Sequence, residues 1–143
     1  MSRAAANPAG AALRALRAHA LRYPETRQEF PWGEPVVKVC GKIFLFLGRP
    51  EGGLSLSVKL PGSSTLALDL PFATPTAYGL GKSGWVTARF DAKRRPPLPM
   101  LKQWIDESYR AVAPKRLLAA LAGSPPAVHR FAAPGRASRK IRR

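Results

Sequence analysis

The sequence predicts a mixed α and β chain, with antiparallel strands in its middle and helices near both ends. Residues 54–60 alternate leucine or valine with serine or lysine, which is the period of two that a half-buried strand shows. Residues 85–90 are mostly β-branched and aromatic, which favours a second strand. Residues 99–112 carry apolar side chains at helical spacing and predict the clearest helix of the chain.

The N-terminal part is predicted to be a short lead followed by a helix. Residues 1–8 carry no pattern and are expected to be disordered. From about Pro8 to Arg22 the composition and an apolar stripe favour a helix, which Pro24 ends. We expect the folded domain to span residues 9–122.

An antiparallel meander is predicted for residues 28–60. Phe30–Gly33 should be extended, Val36–Val39 should form a strand, and Cys40–Gly41 is a candidate two-residue turn. Residues 43–47 are continuously apolar, so this strand should be central and covered on both faces.

Helices are expected again in the second half of the chain. Residues Pro61 to Leu70 should form a short helix, with Pro61 near its start. In the helix of residues 99–112, Trp104 lies on the apolar stripe and should belong to the core. Pro114 ends that helix and can open another that runs to Gly123.

A glycine-rich loop precedes the strand of residues 85–90. The loop and its flanks contain three glycines, a lysine and two aromatic rings: Gly79, Gly81, Gly84, Lys82, Tyr78 and Trp85. Such a loop fits either a recognition element or a plain turn. Gly81-Lys82-Ser83 is similar to the end of a phosphate-binding P-loop, but that motif needs glycine where Thr76 stands, and it opens a helix. The sequence therefore argues against nucleotide hydrolysis.

Positive charge is the strongest global signal. The chain has 24 Lys and Arg against 8 Asp and Glu, a net charge of +16. Such an excess indicates a polyanionic partner, although an Ala-, Arg- and Pro-rich composition alone could also produce it. Residues 123–143 contain three prolines, no acidic residue and six Lys or Arg, so we expect a disordered basic arm. Without this arm and Arg3, 17 Lys and Arg still face 8 Asp and Glu, about +9.

Residues with the spacing of catalytic or metal sites are missing from the sequence. The two histidines are His19 and His129, and Cys40 is the only cysteine, so neither a metal motif nor an internal disulfide is expected. Asp106 and Glu107 are adjacent and would point apart on a helix. We expect no catalytic residues, no metal and no cofactor.

No apolar run approaches the roughly 18 residues of a membrane span, and no secretory signal is evident, so a cytoplasmic protein without membrane association is expected.

Six short stretches occur in an order typical of one protein family. They are Phe30–Gly33, Pro35–Val39 with Gly41–Phe44, Ser57–Pro61, Tyr78–Lys82 with Trp85, Ile105–Arg110, and Ala113–Arg116. Over about residues 10–122 the chain thereby resembles the MmcQ/YjbR family of small proteins.

The resemblance implies a compact α+β domain in which N-terminal and C-terminal helices pack on an antiparallel sheet, similar to the CyaY-like architecture. It also implies DNA binding through a sheet surface likened to the double-wing motif of a phage transcription factor. Tyr78, Lys82 and Trp85 match the family pattern. Many members carry Asn in place of Gly81 and His in place of Gly84, so this loop lacks two of their polar groups.

We therefore expect a non-enzymatic protein that binds DNA, with RNA as the other possible nucleic acid and a monomer favoured. The expected contacts are Lys38, Lys42, Lys59, Lys82 and Arg89 in the domain, and Arg136, Arg139, Lys140, Arg142 and Arg143 in the arm. The alternative is a protein-interaction or small-ligand module with a pocket lined by Trp32, Tyr78, Trp85 and Tyr109. A frataxin-like iron role would require an acidic surface and is disfavoured by the basic charge.

Overall fold

The computed structural model describes residues 8–31 and 33–122. The predictions for residues 1–7, for Trp32 and for the basic arm therefore lie outside the described residues. Pro8, the last residue of the predicted disordered lead, is instead helical. Within the described residues the chain forms four α-helices and a six-stranded antiparallel sheet, which confirms the α+β class.

The strands are β1 (Thr26–Glu29), β2 (Val36–Val39), β3 (Lys42–Gly48), β4 (Leu54–Lys59), β5 (Ala73–Pro75) and β6 (Trp85–Phe90). The helices are α1 (Pro8–Ala20), α2 (Ser64–Ala67), α3 (Leu98–Val112) and α4 (Lys115–Ala122). Two 3₁₀ turns occur at Pro50–Gly52 and Leu80–Ser83. All elements through α3 belong to one compact unit that ends at Ala113, and α4 belongs to a second unit.

The strands lie in the order β1-β2-β3-β4-β6-β5, and all neighbours are antiparallel. The first four follow the chain, which confirms the predicted meander. Cys40 and Gly41 connect β2 to β3 with positive φ angles of 50° and 84°, as a two-residue hairpin turn of type I′ requires. Strand β6 has the bounds that the sequence predicts.

Helices α1 and α3 pack on β3 and β4 and cover one face of the sheet. Leu54, Leu56 and Val58 of β4 are 0% exposed. Trp104 of α3 is 7% exposed, which confirms its predicted place in the core. We call this side of the sheet the covered face. We call the other side, to which the alternate residues of β4 and β6 point, the open face.

A bulge between β2 and β3 aligns the apolar residues of β3 with the core. Val37 pairs with Leu45 but Lys38 pairs with Ile43, so Phe44 is the extra residue. Phe44 and Leu45 are both fully buried. Strand β3 is internal, as predicted, but the expectation that both of its faces are covered is wrong, because Phe46 is only half-buried.

Other expectations required correction. Strand β1 lies at Thr26–Glu29, and no described residue of Phe30–Gly33 belongs to a strand. The aromatic and proline-rich motif misled the assignment, because β1 itself is polar. Strand β5 was not predicted, and α2 is shorter than the expected Pro61–Leu70 segment. No helix among the described residues has the length and apolarity to cross a bilayer.

Candidate nucleic-acid interface

The open face carries hydroxyls and cations at the positions that alternate with the core residues of β4 and β6. Directly paired residues share a face of a sheet, as do residues two apart in a strand. The pairs on this face are Ser55 with Arg89, Ser57 with Thr87, and Lys59 with Trp85. The alternation that buries leucine and valine of β4 on the covered face thus places serine and lysine of the same strand on the open face.

Three hydroxyls form a continuous chain across this face. Ser57 Oγ lies 2.7 Å from Thr87 Oγ1, which lies 2.9 Å from Thr76 Oγ1. Ser57 and Thr87 are 7% and 6% exposed. Each hydroxyl has one proton and two lone pairs, so the chain can reverse its direction and offer either a donor or an acceptor to a ligand.

A groove of about 670 Å³ lies over these hydroxyls. It is lined by Glu34, Phe46, Ser55, Ser57, Thr76, Ala77, Tyr78, Leu80, Thr87 and Arg89. Among these lining residues, Arg89 is the only cation and Glu34 is the only carboxylate. A Cβ atom at Gly48 would lie 2.9 Å from Oε1 of Glu34, so the glycine makes room for this carboxylate.

The glycine-rich loop forms one wall of the groove. In this loop, Leu80–Ser83 form a 3₁₀ turn between Gly79 and Gly84, which both have left-handed φ angles. A Cβ atom at Gly81 would lie 2.7 Å from Cβ of Pro75. The loop therefore packs so closely on β5 that any larger residue at position 81 would require a shift.

Tyr78 precedes these glycines and is 98% exposed. Its φ angle of 61° is uncommon for a bulky side chain. The loop therefore presents an aromatic ring to solvent beside the groove.

The predicted cations occupy three kinds of position. Lys59 and Arg89 lie on the open face, and Lys82 is exposed in the loop. Lys38 also lies on the open face, but its Nζ is 2.8 Å from Oε1 of Glu29, and this hydrogen bond lowers the pKa of Glu29. Lys42 pairs with Val39, on the side away from Lys38. The five cations predicted in the arm lie outside the described residues.

Arg27 was missed by the sequence analysis. It pairs with Lys38 across β1 and β2 and is exposed, so it adds a cation to the open face. Residues 26–29 are all polar and show no alternation, so the sequence held no local signal that would place Arg27 on a strand.

The structure does not bring the three described residues of the predicted aromatic pocket together. Tyr78 lines the groove, while Trp85 is 8% exposed and packs edge-on against Phe46, with ring centres 5.5 Å apart. Tyr109 is fully buried on the covered face and donates a hydrogen bond to the carbonyl oxygen of Pro24 at 2.9 Å. Trp32 lies outside the described residues.

A second polar cluster lies beside the covered face. Tyr23 donates a hydrogen bond to Asp106 at 2.8 Å, and its ring stacks on Tyr109 at 4.5 Å. Burial raises the pKa of Tyr23, and Asp106 raises it further. Burial also lowers the pKa of His19, whose Nε2 is 3.4 Å from the Tyr23 hydroxyl. Across the described chain, no group of three His, Cys, Asp or Glu side chains could hold a metal ion.

The comparisons with known proteins concern this same part of the chain. The YjbR family model matches residues 21–111, from before β1 to the last turn of α3. The Deinococcus radiodurans protein DR2400, which carries a DUF419 domain, has a similar fold, with a TM-score of 0.60 and 23% sequence identity over 77% of this chain and 87% of that one. No curated protein matches the chain. Because the family match spans well over half of its residues and contains all six strands, this chain belongs to the YjbR family.

Proposed function

We propose that this protein binds DNA without catalysing a reaction on it, and that the open face of the sheet supplies the contacts of the folded domain. The observation that carries the proposal is the set of three cations on that face, which are Arg27, Lys59 and Arg89. Arg27, Lys59 and Arg89 have no ion-pair partner among the described residues. Exposed cations beside hydroxyls are the side chains that most often contact DNA phosphates.

The overall charge supports the same conclusion. Residues 8–122 carry 17 Lys and Arg against 8 Asp and Glu, an excess of about 9 positive charges before the arm is counted. An excess of this size attracts a polyanion at long range, while the placement of individual cations decides where it binds. DNA binding is also what the resemblance of the sequence implies.

The test is a titration of the full-length protein with labelled duplex DNA at several salt concentrations. Charge reversal of Lys59→Glu with Lys82→Glu should weaken binding and flatten the salt dependence by about two units, since each phosphate contact contributes about 0.9. The matched control is Arg14→Glu with Arg22→Glu, which changes the net charge equally at two exposed positions in and just after α1. Equal losses in both double variants would contradict a binding site on the open face.

Deletion of residues 124–143 separates the domain from the arm. The arm holds six cations, so its loss should flatten the salt dependence by up to about five units without abolishing binding. If the shortened protein has no affinity for DNA at low salt while its circular dichroism is unchanged, the arm alone binds and the proposal fails.

A further inference from the structure

We propose that the groove in the open face holds one unpaired nucleobase, so that the form of DNA this protein prefers is single-stranded. The inference rests on the proposed function, because it specifies which form of DNA the same face binds. Four features of the groove support it: its size, its rings, its hydroxyls and its charges.

The size of the groove suits one base rather than a duplex. Its volume of about 670 Å³ lies within the range of roughly 300–1,000 Å³ typical of small-ligand sites. Duplex DNA shows its base edges only inside its grooves, and a helix or β-ribbon must protrude to reach them. The open face of the described chain presents a recess there instead, which an unstacked base can enter.

Two aromatic residues, Phe46 and Tyr78, line this recess. Phe46 lies in the sheet and is supported by Trp85. Tyr78 lies in the loop with 98% of its surface exposed, so packing within the described domain does not account for its position. A bulky residue held at a φ of 61° is a local strain of the kind that occurs at binding sites. A base that stacks on Tyr78 would bury the ring.

The hydroxyl chain can hydrogen-bond to the edge of any base. Ser57, Thr87 and Thr76 can each donate or accept, because either oxygen of each bonded pair can be the donor. Base edges differ in their donors and acceptors, and serine and threonine are compatible with all of them. Recognition in this groove should therefore depend weakly on which base is present.

The positions of the charged residues indicate that a base and its neighbouring phosphates would bind at different places on the open face. The groove is lined by Arg89 and Glu34, one charge of each sign, which does not suit a run of phosphates. Lys59 is not among the groove's lining residues but lies on the same face, and Lys82 lies in the adjoining loop. A strand that places a base between Tyr78 and Phe46 would thus have cations beside it for its backbone.

The experiment compares three probes of equal phosphate number on the full-length protein. The probes are a single-stranded oligonucleotide of about a dozen nucleotides with 2-aminopurine at its centre, the same strand with abasic central positions, and a duplex. We expect the single strand to bind tightest, the abasic strand to bind more weakly, and the fluorescence of 2-aminopurine to change on binding.

Tyr78→Ala should weaken binding of the single strand by at least about fivefold and remove the fluorescence change, while duplex binding is little affected. Leu66→Ala is the control, since it removes another exposed apolar side chain, 75% exposed on α2. Equal affinity for the single and abasic strands, or an unchanged affinity of Tyr78→Ala, would overturn the inference and leave DNA binding by the open face intact. If Lys59→Glu with Lys82→Glu also leaves affinity for all three probes unchanged, the proposed function fails as well.

Discussion

The two faces of the sheet are made by the same strands and have opposite chemistry. Strand β4 supplies Leu54, Leu56 and Val58 to the covered face, all fully buried beneath α1 and α3. The residues between them supply two hydroxyls and an ammonium group to the open face. Because side chains alternate along a strand, the six residues of β4 supply both the core and the polar face, and no side chain belongs to both.

Polar groups are also used differently on the two faces. On the covered face Ser108 is fully buried, donates to the Phe44 carbonyl oxygen at 2.6 Å and accepts from the Lys59 amide at 2.9 Å. The Glu107 carboxylate accepts hydrogen bonds from Ser63 Oγ at 2.6 Å and from the Gly62 amide at 2.8 Å. These partners hold the helix on the sheet, whereas the hydroxyls of the open face still have capacity for a ligand. Stability and binding should therefore respond to different substitutions.

The largest expected effect is on stability, from Trp104→Ala on the covered face. Trp104 is 7% exposed and its ring lies 6.4 Å from that of Phe72, so its removal leaves a cavity and should cost about 3–5 kcal/mol in the free energy of unfolding. Urea denaturation followed by circular dichroism measures this. Tyr78→Ala, which removes an exposed ring from the open side, should change stability by less than about 0.5 kcal/mol. Similar losses from the two variants would contradict the division between the faces.

Ser108→Ala should have the next largest effect. The change removes one oxygen but leaves both the Phe44 carbonyl and the Lys59 amide without this partner, and each unsatisfied group costs about 1–3 kcal/mol. We expect a loss of about 2–4 kcal/mol by the same denaturation measurement. Ser55→Ala on the open face of β4 is the matched control and should cost less than about 0.5 kcal/mol. A loss from Ser55→Ala equal to that from Ser108→Ala would refute the structural role assigned to Ser108.

Ser108 also illustrates what the sequence could and could not predict. Its place on the apolar stripe of a helix is visible in the sequence, but its bond to a carbonyl 64 residues away depends on how the helix crosses the sheet. Local patterns predicted the bounds of β6 from its β-branched and aromatic residues and the faces of β4 from its period of two, because both signals lie within a few neighbouring residues. Strand β5 has only three residues and ends in proline, so it contains no period to detect.

The candidate site was predictable to a similar extent. Lys59 and Arg89 could be assigned to one polar face from alternation within their own strands. The groove could not be predicted, because its walls come from separate parts of the chain: Glu34, the sheet and the Tyr78 loop. Glu34 and the loop can approach the sheet only because Gly48 and Gly81 have no side chains. Tyr109 was assigned to a pocket by its residue type, and only the packing of α3 on Phe44 shows that it belongs to the core.

The smallest expected effect is a pH dependence of stability that leaves the open face unaltered. Burial lowers the pKa of His19 below its ordinary value of 6.5, and the positive charges of Lys102 and Arg22 lower it further, while Asp106 opposes them. The unfolded chain therefore binds a proton near pH 6.5 that the folded chain resists. The free energy of unfolding should therefore not depend on His19 protonation above that pH. It should decline as the pH falls towards the lowered pKa of His19 in the folded state.

His19→Gln should reduce this decline, because glutamine has no proton to bind. The measurement is the free energy of unfolding of both proteins between pH 5 and 8, and His129 is present in each, so the difference isolates His19. DNA affinity at a fixed pH should be the same in both proteins, since α1 lies on the covered side of the sheet and Lys59 and Arg89 lie on the other. If His19→Gln had the same pH dependence as the parent, burial of His19 would not set its protonation. If His19→Gln altered the affinity for DNA without changing the free energy of unfolding, the two faces would be coupled through the sheet rather than independent.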